Sequence, residues 1–147
     1  MRRIVVLAAA MMAQTVLAAE RPSLPQFIDA MKAGGVTVRV AGRCATRADG
    51  CASTFKRAGE PAVQAAISLD KSGRVDGWVA MESDTNQVAA IRFLMAYMVG
   101  TGQPKEDARK VMMFALNGDG VAPACCSITF KGVGDSIQHI VDIKGRK

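Results

Sequence analysis

The chain carries a single histidine, a single tryptophan and a single tyrosine in 147 residues, and aromatic residues make up only 5% of it. The histidine shortage narrows the chemistry first. A serine or cysteine nucleophile needs a base near neutral pH, and His139 is the only side chain present whose ordinary pKa lies there. No Gly-x-Ser-x-Gly turn displays a serine, no His-Glu-x-x-His or Cys-x-x-Cys pattern offers zinc ligands, and no Gly-x-x-x-x-Gly-Lys loop can cradle phosphate. Acids paired only in space, as glycoside chemistry needs, leave no mark in a sequence. The acids here sit mostly in turns and first helical turns, where local structure already accounts for them. The expectation is a protein without catalytic, metal or cofactor sites.

The seven aromatics, counted as five Phe with one Trp and one Tyr, do not interleave with the basic run as stacking platforms for nucleic acid would. Long apolar runs are also scarce. The longest, Ile4 to Ala13, falls short of the roughly 20 residues that a membrane-spanning helix requires. It follows Met1-Arg2-Arg3 and precedes the small residues of Val16-Leu17-Ala18-Ala19, the layout of a secretory signal peptide. Residues 1–18 are read as that signal, with cleavage after Ala18 or Ala19, and residues 19–147 as a single domain. No cysteine follows the cleavage region, so a lipid anchor has no attachment point there. The expected location is the periplasm, with release from the cell as the alternative.

Four cysteines are present: Cys44, Cys51, Cys125 and Cys126. In an exported chain of this size they read as two disulfides that supplement a small core. Three pairings exist for four cysteines. Two crossed arrangements would staple the Cys44 to Cys51 loop to the end of the chain, and the third joins Cys44 to Cys51 and closes a vicinal Cys125 to Cys126 ring. The crossed arrangements are favoured, because long closures stabilise more in the loop-entropy account.

The formal charge of +6 includes Arg2 and Arg3, so removal of the signal leaves 6 − 2, or +4. Arg39, Arg43, Arg47, Lys56 and Arg57 face only Asp49 within their stretch. Such clustering suits an acidic partner protein.

Along the chain, Leu24, Phe27, Ile28 and Met31 recur at helical spacing after Ser23, and Gly34-Gly35 stops the run. Val36-Thr37-Val38-Arg39-Val40 alternates as a half-buried strand. Residues from Gly42 to Gly59 read as a loop. Ala62 to Glu82 reads as a hairpin turning at Lys71-Ser72-Gly73, with Val75, Val79 and Met81 inward and Trp78 on the opposite face, outside the core. Ser83-Asp84-Thr85 caps a helix ending at Gly100, and Gln103-Pro104-Lys105-Glu106 opens another that stops at Asn117-Gly118. Methionines at helical spacing in this pair read as core rather than copper ligands. A second hairpin, Ser127 to Ile143, places Ile137, His139, Val141 and Ile143 on one face, so His139 is expected to be a packed core histidine.

The fold class is therefore α+β: about five mostly antiparallel strands, two hairpins plus one N-terminal strand, with a short N-terminal helix and a central helix pair on one face. The functional expectation is a non-catalytic exported protein that recognises another protein, in the manner of an inhibitor, an immunity-type protector or an envelope accessory subunit. Its expected patch is Arg43, Arg47, Lys56 and Arg57 with Trp78 as an aromatic anchor. The alternative is a thiol redox or soft-metal protein acting through Cys125 and Cys126.

Overall fold

The computed structural model describes residues 20–42, 44, 50–82, 87–117 and 125–145, with the backbone alone at 87–90 and 105. The expected signal, the cap at Ser83-Asp84-Thr85, and Arg43 and Arg47 all lie outside the described residues.

Helix α1 (Leu24–Ala33) starts where Ser23 and Gln26 exchange hydrogen bonds, the Ser23 hydroxyl accepting from the Gln26 amide and the Gln26 side chain accepting from the Ser23 amide. This reciprocal cap satisfies two of the donors that a helix start leaves open. Phe27, Ala30 and Met31 form its buried stripe. Strands β1 (Val36–Val40), β2 (Cys51–Arg57), β3 (Val63–Leu69) and β4 (Val75–Glu82) follow as an antiparallel meander. Helices α2 (Gln87–Gly100) and α3 (Lys105–Asn117) come next, then the hairpin of β5 (Cys126–Val133) and β6 (Ser136–Ile143). The strands join one six-stranded antiparallel sheet in the order β1-β2-β3-β4-β6-β5. The class is α+β, with six strands rather than about five.

The added strand is β2, inside the segment expected to be a loop. Its inward residues are Cys51, Ser53 and Phe55, all buried. Only one of them is a large apolar side chain, so the alternation is faint in sequence. The Ser53 hydroxyl donates to the Ala65 carbonyl at 3.2 Å, which removes the cost of burying it.

The hairpin of β3 and β4 forms as expected, but its second strand is turned over. Leu69 pairs with Val75 while Ser68 pairs with Gly77, leaving Asp76 as the extra residue of a β-bulge. A bulge shifts side-chain alternation by one position. Val75 therefore faces inward together with Trp78, Ala80 and Glu82, and Val79 and Met81 face outward. Trp78, expected outside the core, is 1% exposed and stands at its centre. Its ring lies 5.4 Å from Phe27, 6.0 Å from Phe55 and 6.0 Å from Tyr97, bringing α1, β2 and α2 together around one indole. The outward hydroxyl of Ser68 donates to the Asp76 carboxylate at 2.5 Å and closes the bulge.

Close backbone approach fixes the helix layer. A Cβ on Gly34 would lie 2.0 Å from the Ala96 carbonyl oxygen, and one on Gly100 would lie 1.7 Å from that of Ala30. The pairs Ala30/Gly34 and Ala96/Gly100 thus interlock with α1 and α2 antiparallel. Among the described residues no helix is long and apolar enough to cross a membrane.

Candidate interaction surface

Antiparallel sheets commonly pack one face on a core and leave the other to solvent. Here the inner face takes α1 and α2 through Phe27, Phe93 and Tyr97. The outer face carries two continuous rows of side chains. Arg39, Thr54, Gln64, Met81, Gln138 and Lys131 stand opposite one another in register, one from each strand. Ala52, Ala66, Val79, Ile140 and Thr129 form the next row.

Apolar groups occupy the middle of both rows. Met81 is 38% exposed, and Ala66, Val79 and Ile140 are half-buried by their neighbours. Cations occupy the ends of the first row. Arg39 and Lys131 lie on the two edge strands, five strand spacings apart, or about 24 Å. Lys56, opposite Thr37, adds a third cation to this face. The acids among the described residues here are Asp142 and Asp76, the latter already accepting from Ser68.

The structure divides the residues expected to form a binding patch. Lys56 is exposed on the outer face. Arg57, its neighbour along the strand, has the opposite orientation and pairs with Val36 on the inner face at the end of β2. Trp78 is enclosed in the core and cannot serve as a surface anchor in the folded chain. Sequence reasoning missed Met81 and Val79 as surface residues, because the bulge that reverses β4 is encoded by nothing more conspicuous than Asp76-Gly77. The strong preference of tryptophan for burial was the available signal.

The disulfide pairing also corrects the expectation. Cys44 bonds to Cys51, and Cys125 bonds to Cys126. Crossed bridges are excluded by topology. Cys51 lies on β2 and Cys126 on β5, four strand spacings apart, or about 19 Å, whereas bridged Cα atoms stand within about 7 Å.

His139 occupies the inner face of β6, fully buried, with its ring 5.9 Å from that of Phe93. Neither ring nitrogen has a hydrogen-bond partner. Burial lowers its pKa from 6.5 to about 4, so the imidazole is neutral at pH 7. It is a packed core histidine, as its strand register implied.

A polar hollow of about 240 Å³ is lined by Glu20, Arg21, Asp70, Ser72, Arg74 and Gly145. Its charges are engaged with one another. The Arg21 Nε donates to the Ile143 carbonyl at 2.9 Å, and the Arg74 guanidinium donates to the Arg21 carbonyl at 2.7 Å. Arg21 also meets Asp70 at 3.4 Å, and Arg74 meets Glu20 at 3.6 Å. Asp70 accepts from the Ser72 hydroxyl and from the amides of Ser72 and Arg74. The Ser72 hydroxyl, with help from the Arg74 amide, holds its carboxyl at a pKa of about 2. This hollow is a clamp that ties residues 20–23 to the turn between β3 and β4. Among the described residues no group of three or more His, Cys, Asp or Glu could hold a metal ion.

No family model, curated protein or solved structure matches this chain.

Proposed function

We propose that this chain is a small exported, non-catalytic protein-recognition module, working in the periplasm, that binds an acidic partner through the outer face of its sheet. The single observation that carries the reading is the arrangement of that face: an apolar centre at Ala66, Val79, Met81 and Ile140 between cations at Arg39, Lys56 and Lys131. Protein interfaces combine a desolvated apolar core with a polar rim, and methionine and arginine are enriched in them. The excess of positive charge steers an acidic surface toward the face and sets its orientation. Such a surface suits an inhibitor, an immunity-type protector or an accessory subunit of an envelope complex, each of which must recognise another protein.

The test places a photo-crosslinking amino acid at Met81 in the protein exported by its own leader, with Lys110 on the exposed side of α3 as the control position. A defined adduct from Met81, absent from Lys110 and lost on combined Arg39→Glu, Lys56→Glu and Lys131→Glu substitution, supports the reading. Adducts equal at both positions, or no adduct from Met81, refute this face as the binding site.

A further inference from the structure

We propose that the Cys125–Cys126 disulfide is a thiol–disulfide exchange site that accepts electrons from a dithiol, while Cys44–Cys51 is the structural bond. The two bonds differ in what they hold together. Cys44 and Cys51 are separated by seven positions, and their bridge ties Cys44 to β2, where Cys51 lies 3% exposed within the core. Cys125 and Cys126 are consecutive. A bond between neighbours encloses no chain, so the loop-closure account assigns it almost no stabilisation. It also crosses no interface between elements. The hairpin it adjoins is held by eight consecutive residue pairs, from Cys126 with Ile143 to Val133 with Ser136.

Its position suits exchange. The pair stands where β5 begins, and among the described residues β5 is an edge strand of the sheet. Cys126 is fully buried, while Cys125 is only half-buried, which makes Cys125 the more accessible of the two to an incoming thiolate. The Cys125 carbonyl already accepts from the Lys144 amide at 2.8 Å, and Cys126 pairs with Ile143, so the peptide joining the two cysteines stays anchored when the bond opens.

The exchange balances as a two-electron transfer. A donor thiolate attacks the Cys125 sulfur, the Cys125–Cys126 bond breaks, and Cys126 leaves as a thiolate that takes up a proton. The second donor thiol then attacks the mixed disulfide and releases Cys125 as a thiol. Two electrons and two protons pass from the donor, which departs as a disulfide. The product is a vicinal dithiol with β5 still paired to β6. The chemical class of substrate is a protein dithiol of the exported thiol-oxidoreductase kind, and dithiothreitol is the probe.

The experiment equilibrates the full exported protein, folded, in mixtures of reduced and oxidised dithiothreitol, quenches with an alkylating reagent, and maps the labelled cysteines by mass. Trp78 fluorescence reports folding in the same samples. The expected result is paired labelling of Cys125 and Cys126 at a reduced-to-oxidised ratio about tenfold or more below that needed for Cys44 and Cys51, with native fluorescence retained and labelling reversed by oxidant. Cys125→Ala with Cys126→Ala, which puts no hydroxyl into the core at position 126, should abolish this early labelling and leave the thermal midpoint within about 5 °C of the parent. Reduction of all four cysteines together, labelling only after fluorescence is lost, or a large fall in the midpoint of the double variant would overturn the proposal and make the vicinal bond structural.

Discussion

A fully buried histidine with two unpartnered ring nitrogens makes this domain sensitive to mild acid in a way that can be calculated. The unfolded chain binds a proton on His139 near 6.5, and the folded chain binds it only near 4. Because the folded pKa is the lower one, the unfolded state holds more protons throughout that window, and stability falls as pH falls. The loss begins near 6.5 and levels off below about 4. At about 1.4 kcal/mol per pH unit it totals about 3 kcal/mol, with about 2 kcal/mol of it appearing between about pH 7 and about pH 4.5. That is a large fraction of a small domain's stability.

The perturbation is His139→Leu, which keeps the side-chain volume between Phe93, Ala80 and Phe130. Since it removes two buried nitrogens without partners, the variant should be more stable than the parent at pH 7 by about 1–3 kcal/mol. Its advantage should widen by about 2 kcal/mol on acidification to about pH 4.5, because all carboxylates are common to both proteins and cancel in the difference. Urea unfolding followed by Trp78 fluorescence at several pH values measures both quantities. A parent-minus-variant difference that stays constant across this range would refute the reasoning. So would a His139 resonance titrating at or above 6.5, which would show the imidazolium to be stabilised, for instance by Glu82 on the same face.

Further outcomes follow from single contacts. Gly100→Ala drives a Cβ against the Ala30 carbonyl and should lower stability by about 1–3 kcal/mol in urea unfolding, whereas Gly132→Ala, where nothing lies within 4 Å, should change it by less than about 0.5 kcal/mol. Trp78 should emit as a buried indole and resist quenching by iodide or acrylamide; efficient quenching in the folded protein would return it to the surface. Asp70 has a folded pKa depressed from 3.8 to about 2, so the stability it confers is present above about pH 4 and lost as pH falls toward 2. Asp70→Asn should therefore lower the thermal midpoint at neutral pH and narrow its gap to the parent near pH 2. A gap unchanged with pH would show that the turn needs the shape of the side chain and not its charge.

Elements whose signals are local could be read directly from the residues. The helix start after Ser23, the turn at Lys71-Ser72-Gly73 and the inward register of Ile137, His139, Val141 and Ile143 each depend on neighbours within a few positions, and each stands in the fold as its residues suggest. Strand β2 escaped because Cys51 and Ser53 are small, and small side chains leave little trace in hydrophobic alternation. Trp78 was misplaced because one unpaired residue, Asp76, exchanges the faces of everything after it in β4. The candidate surface was legible only in part. Lys56 belongs to it, and Ile140 follows from the register read for β6, but Met81 and Val79 reach it through the reversed register of β4.

Composition and local pattern by themselves determined the α+β class, the helices, most strands and the burial of His139, because these follow from side-chain spacing along one element. Tertiary structure alone decided the strand order, the disulfide pairing and the outward face. Which hairpin strand pairs with β4 is a choice between two long-range contacts of similar local appearance. That choice carries β5 and its cysteines to the far edge of the sheet, beyond the reach of Cys44 and Cys51. It also places Arg39 and Lys131 at opposite ends of one row, a relation between residues more than ninety positions apart that no local periodicity encodes.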